Sequence, residues 1–196
     1  MTSSMKERML RGELYVADDS VLDADHARAQ ELLDRYNRTA HAEQELRERL
    51  LRELLGDVGD GVVVKPSFRC DYGTAITIGA GTFINYDCVF LDAAPISIGS
   101  DCQIATRVQL LTATHPIDPE PRRNGWEYAQ SIAIGDNVWL GGGVIVCPGV
   151  TIGDNTVVGA GSVVTRDLPA DVIAFGVPAR VSRGITNQDR VDVPPR

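Results

Sequence analysis

Of the chain's three histidines, one falls in the repetitive part of the sequence, and it stands where the repetition halts. The stretch TATHPIDPEPRRNGWEYAQSIAIGDNVW (112–139) leaves an apolar rhythm after His115, passes through prolines and arginines, then resumes it. A neutral imidazole can take a proton near pH 7. A histidine beside a protruding segment suits a general base better than a place in a packed core. His26 and His41 lie in the charged N-terminal stretch, where solvated helix positions account for them. A single histidine with no cysteine or carboxylate at ligand spacing makes a poor metal site, which argues against a zinc held by histidines from adjacent repeats. Cys70, Cys88, Cys102 and Cys147 show no CxxC spacing and read as small buried residues in a reducing cytoplasm.

The elements that must hold His115 come from a period of six. Aligning the tetrads ITIG, ISIG, IAIG and VTIG gives hexads beginning at 78, 84, 90, 98, 104 and 110, then at 134, 140, 146, 152, 158 and 164. The first residue of every hexad is apolar, from Ile78 to Val164, and the fifth is small except at Leu168. Three short strands per turn, each turn stacked about 4.8 Å above the last, satisfy this pattern. The hexad heads fill a prism, and the residues beside them point outward because side chains alternate along a strand. His115, Trp139 and Asn85 therefore face out. The hexad due at 116 arrives at 134, eighteen residues late. Pro116 and Pro119 disfavour continued pairing, so residues 116–131 form either a functional loop or a tolerated insertion.

Residues 1–57 read as helical. Ser4 and Glu7 have capping-box spacing with a stop at Gly12. Amphipathic helices follow over Leu22–Arg38 and Glu43–Leu55, the second ending at Gly56. Their apolar stripes suit covering one end of the prism. At 196 residues this is one ordinary domain. A net charge of −8 with no basic stripe excludes a nucleic-acid partner. No apolar run has membrane-spanning length, and the N-terminus lacks the apolar core of a signal peptide, so the chain is expected to be cytoplasmic.

GELYVADD (12–19), LLDRYN (32–37), FRCDYG (68–73), FINYDCVFLD (83–92), TATHPIDP (112–119), IGDNVWLGGGVIVCPGVTIGDN (134–155), GAGSVVTRDLP (159–169) and GVPARV (176–181) cover nearly all of the chain. In these stretches it resembles the maltose and galactoside O-acetyltransferases, within the wider hexapeptide-repeat acyltransferases that include nodulation acetyltransferases. FRCDYG and TATHPIDP look closest to the maltose branch. The resemblance implies a left-handed parallel β-helix over 58–184 with a protruding loop at 116–131, an N-terminal helical segment (1–57) on the acceptor side, and a tail (185–196). It also implies direct acetyl transfer from acetyl-CoA to a sugar hydroxyl, without a metal.

Carried onto this chain, the resemblance makes His115 the base and Asn85 its partner in orienting the acceptor and stabilising the transition state. Asp18, Asp71 and Asp92 become sugar contacts, and Ala93 stands where the family has a second Asp. Trp139, Gly142 and Ala160 fall along the pantetheine arm, and Thr165, Arg166, Arg180 and Arg183 at the nucleotide end. Backbone amides of Gly141, Gly142 and Gly143 suit an oxyanion, and arginines suit phosphates. Asn85 and His115 fall at different prism corners, so uniting them needs a neighbouring subunit, in keeping with the family's trimers. An acetyl-CoA-dependent enzyme with a non-sugar acceptor, such as an antibiotic hydroxyl or an amine, and a catalytically silent trimeric scaffold are the competing readings.

Overall fold

Three parallel stacks of strands form the body of the computed structural model, which describes residues 3–194. The first face stacks Asp57–Val58, Ile76–Ile78, Ile96–Ile98, Ile132–Ile134 and Thr151–Ile152. The second runs from Val63–Val64 through Phe83–Ile84, Gln103–Ile104, Trp139–Leu140 and Val157–Val158 to Val172–Gly176. The third holds Phe68–Cys70, Cys88–Leu91, Gln109–Leu111, Ile145–Val146 and Val163–Val164. Hexad heads stack in register, as in Ile78–Ile98–Ile134–Ile152, and all twelve are buried. This is a parallel β-helix, as the period of six predicts.

Two parts of it lie outside the twelve hexads. A coil with inward residues Val58, Val64 and Cys70 precedes them, in register with Ile78, Ile84 and Phe90. It carries no I-x-I-G tetrad, which is why the alignment begins one turn late. At the other end Ala179–Gly184 folds back antiparallel on Val172–Gly176 and closes the second face.

The N-terminal segment contains α1 (Met5–Leu10), α2 (Ser20–Asn37) and α3 (Gln44–Leu54). The Ser4–Glu7 capping box is present on α1. α2 and α3 cover the open end of the prism, and Leu33, Tyr36, Leu50 and Leu54 join the same apolar core as the hexad heads. The exposed edge of the first coil is also satisfied by α2. Tyr36 Oη donates to the Val64 carbonyl at 2.6 Å, and the Asn37 amide both donates to and accepts from the Phe68 backbone at 2.9 Å. Covering an edge in this way removes a template for unwanted pairing. His41 lies in the turn before α3 rather than on a helix. Of the expected 1–57 segment and 185–196 tail, residues 1–2 and 195–196 lie outside the described residues.

The 116–131 segment is more ordered than a simple excursion. After α4 (Pro119–Arg123), its strand Trp126–Ala129 pairs antiparallel with both Ala113–Thr114 and Tyr15–Val16. The tip stands out, with Ile117 fully in solvent. The rest is stitched to its own chain's N-terminus.

Candidate active site

His115 leaves the third face at the end of Ala113–Thr114 and is half exposed. The returning strand supplies its surroundings. Nδ1 lies 3.4 Å from the Trp126 carbonyl, and Nε2 lies 3.9 Å from a carboxylate oxygen of Glu127. With Nδ1–H directed at that carbonyl, Nε2 keeps its lone pair for a proton, and Glu127 can stabilise the imidazolium that results. Glu127 pairs in register with Tyr15, whose phenol is buried and held above its usual pKa by burial first and then by the charge of Glu127. Sequence reasoning missed Glu127 and Tyr15. The alternation in WEYA (126–129) was the one signal for Glu127, and Tyr15 stood unremarked inside GELYVADD (12–19); no hexad register reaches either segment.

Asp71, at the turn after Phe68–Cys70, is half-buried within reach of the charge of Glu127, and this half-buried spot is the recess beside His115. Burial, reinforced by the charge of Asp92 and opposed by His26, pushes its carboxyl up to about 6. Tyr72 beside it is pushed up to about 12, by burial and then by Asp71. His26 is an exposed position of α2, as the sequence predicts, and its ring meets Tyr72 edge-on at 6.3 Å. Asp92 has a different task from the expected sugar contact. It is fully buried, and its carboxylate accepts from the backbone amides of Asp71 (3.0 Å), Tyr72 (2.9 Å) and Ala75 (3.3 Å). Those bonds fix the turn that presents Asp71. Asp18 is exposed, while its neighbour Asp19 caps α2 through Val21 N–H.

Most of the remaining candidates follow the second face, whereas Thr165 and Arg166 follow the third-face strand Val163–Val164. Asn85 sits just past Phe83–Ile84, its side chain accepting from Tyr86 N–H at 2.9 Å. It precedes the third-face strand Cys88–Leu91, whereas His115 lies beyond the other end of that face. The width of the face, on the order of 15 Å, separates them. Outward from the second face, Val63, Phe83, Gln103, Trp139, Val157 and Ile173 form one aligned, mainly apolar stripe, with Trp139 54% exposed.

The three glycines after it differ. A Cβ on Gly141 would stand 2.5 Å from the Ala160 nitrogen, and Gly143 has φ +69°, so both are required by the coil. At Gly142 a Cβ meets nothing nearer than 3.5 Å, which leaves that position for a ligand to approach. Ala160, Thr165, Arg166 and Arg180 are exposed. Arg183 is already engaged: it grips Asp189 through two bonds of 2.7 Å. Among the described residues no group of three or more His, Cys, Asp or Glu is arranged to hold a metal.

A parallel β-helix does not by itself fix a chemistry, and comparison with known proteins supplies the class. The maltose acetyltransferase hexapeptide capping motif matches residues 8–59, and the bacterial transferase hexapeptide model matches 131–166. Nodulation protein L of Rhizobium meliloti is 50% identical over 92% of this chain and 99% of its own. The crystal structure of a maltose O-acetyltransferase from Clostridium difficile 630 superposes with a TM-score of 0.93 at 47% identity, over 95% of this chain and 100% of that one. A galactoside acetyltransferase solved with coenzyme A superposes at 0.92 and 39% identity, over 96% and 94%. The chain belongs to the maltose/galactoside O-acetyltransferase family, and its activity is that of an acetyltransferase. Among the described residues no helix is long and apolar enough to cross a membrane.

Proposed function

We propose that this protein transfers an acetyl group from acetyl-CoA to a hydroxyl of a sugar such as maltose or glucose, directly and within a ternary complex. The observation that carries this reading is His115 held between the Trp126 carbonyl and Glu127, beside the recess that presents Asp71. Thiol release from acetyl-CoA, measured across a panel of sugars, tests it. Release with amines or antibiotic hydroxyls but with no sugar would replace the acceptor class.

A sugar hydroxyl is a weak nucleophile at neutral pH, so His115 Nε2 removes its proton as the oxygen attacks the thioester carbon. The carbonyl oxygen gains charge, which backbone amides near Gly142 stabilise. Coenzyme A then leaves as the thiol, taking up the proton from His115. Asp71 accepts from acceptor hydroxyls, Asp92 positions Asp71 through the turn, and Asp18 lies at the outer rim. The cofactor arm lies along Trp139, Gly142 and Ala160, with its phosphates toward Thr165, Arg166, Arg180 and Arg183, as the complex of the galactoside acetyltransferase with coenzyme A encourages. No step needs a metal, so exhaustive chelation should leave turnover unchanged.

Two predictions arise from the charges. Below about pH 6 the Asp71 carboxyl is protonated. The sugar KM should therefore climb as pH falls through that value while the acetyl-CoA KM stays level. Asp71→Asn should fix the sugar KM at its high value at every pH. For folding the sign is the reverse: a carboxyl raised above its ordinary value of about 3.9 makes the fold less stable as pH rises from about 4 to 6.

At the nucleotide end, Arg166→Ala should raise the acetyl-CoA KM about fivefold, less at high salt. Arg183→Ala should act in the same direction but more weakly, because Asp189 already occupies that guanidinium. An unchanged acetyl-CoA KM in both variants removes these arginines from the cofactor site.

The active unit is a trimer on this reading. Two of the three faces present largely apolar outward residues, Val63, Phe83 and Trp139 beside Gln103 on the second and Val89, Ile145 and Val163 beside Arg69 and Gln109 on the third, whereas the first presents Asp57, Thr77, Ser97, Ala133 and Thr151. Two unlike apolar faces on one prism suit a closed ring in which each face meets its neighbour's other. Sedimentation should report three chains.

A further inference from the structure

A cavity of about 320 Å³ opens between α3 and the strand Val63–Val64. Buried Tyr36 and Leu51 give it an apolar floor, exposed Val63 lines its side, and His41, Arg47 and Lys65 stand around it. That size and mixed lining are typical of small-ligand sites. Arg47 is fixed by Thr39 Oγ1 at 3.0 Å and the Ala40 carbonyl at 2.8 Å, and neither it nor Lys65 has an acidic partner within ion-pair distance among the described residues. The one carboxylate at the rim, Glu48, is directed at Arg52 at 3.4 Å. In a chain of net charge −8 this is a local excess of positive charge around a partly apolar hollow.

Its location gives that excess a use. Val64 pairs with Ile84, so Lys65 stands one coil beneath Asn85, a step of about 4.8 Å. Lys65 N–H donates to the Ile84 carbonyl at 2.8 Å, and its ammonium lies 6.0 Å from the centre of the Phe83 ring, on the same outward stripe as Trp139. The stripe therefore runs from the thioester end past Asn85 and continues into the cavity.

We propose that this cavity is a second acceptor subsite that binds an anionic group, a carboxylate or a phosphate ester, on the sugar unit next to the one acetylated. The inference rests on the acetyltransferase reading above and on Asn85 lining the acceptor. An ammonium held against an aromatic ring and short of counter-charge gains a charge-assisted hydrogen bond when such a group arrives. A neutral unit gains only the contact with Val63 and Phe83. One coil step matches the advance from one pyranose unit to the next.

The test compares kcat/KM for three disaccharides of the same reacting unit: a neutral one, one carrying a uronic acid and one carrying a sugar phosphate. The acidic acceptors should be favoured about tenfold, and whichever of the two leads identifies the source of the anion. Lys65→Gln should abolish that preference and leave turnover of the neutral disaccharide and the acetyl-CoA KM unchanged. Equal kcat/KM on all three with the native protein overturns the subsite. So does a Lys65→Gln variant that loses neutral and acidic turnover alike, or that dissociates on sedimentation, since the cavity is then a subunit contact. Calorimetric titration with the acidic disaccharides reads the cavity without turnover. If no sugar is acetylated yet this binding exists and is lost in Lys65→Gln, the catalytic reading fails and the anion site stands. If sugars are acetylated and no such binding exists, the reverse holds.

Discussion

Replacing His115 with alanine should lower kcat by about 10²–10⁴-fold, the usual contribution of a positioned general base, while acetyl-CoA binding changes little. The separation between the two effects follows from placement. The imidazole is anchored to Trp126 and Glu127 on the returning strand, beside the recess of Asp71. The proposed cofactor path runs along the second face, past Trp139 and Gly142. Glu127→Gln keeps the side-chain shape and removes the charge 3.9 Å from Nε2, so it should give a smaller loss of kcat than His115→Ala. A steady-state kcat near the native value in His115→Ala would falsify the mechanism. Shortening the 119–125 tip should weaken sugar binding and leave the β-helix folded, because the strand Trp126–Ala129 still pairs on both sides. A deletion that only unfolds the protein makes the segment a structural insertion instead.

How much of this was legible depended on whether a residue belonged to the six-residue register. Each hexad head inside a stack has one neighbour above and one below, so Ile104 or Val146 could be assigned to its face from spacing alone, and the assignments match the sheets. The coil of Val58, Val64 and Cys70 obeys the same geometry without the flanking tetrad, and so its register was not read. Glu127 reaches His115 through an antiparallel return paired with Ala113–Thr114 on one side and with Tyr15, more than a hundred residues earlier, on the other. No local period encodes such a contact. Asp92 shows the opposite failure: the motif marks the residue, but only burial and its three amide donors reveal that it holds Asp71 in place. Lys65 became readable as a neighbour of Asn85 only once that unmarked first coil was in register.

Mixing two inactive variants should restore activity if each site draws on two chains. Asn85→Ala keeps His115, and His115→Ala keeps Asn85, and both lie on the surface of the prism away from its core. Within one chain these residues stand at opposite edges of the third face, and one imidazole cannot span a separation on the order of 15 Å. In a closed ring each interface joins one edge of a subunit to the other edge of its neighbour. When the variants are refolded or co-expressed in equal amounts, an interface carrying both native residues forms with a probability of about one quarter. The mixture should therefore show about one quarter of native kcat per site, although each variant alone is lower by a general base's contribution or its partner's. Varying the ratio should trace a symmetric curve with its maximum at equal amounts. If the site instead lay within a single chain, every chain in the mixture would lack one residue and no ratio would raise the rate. Recovery in subunit-exchanged mixtures, and none when exchange is blocked by cross-linking each variant beforehand, separates the shared site from any stabilising effect of mixing.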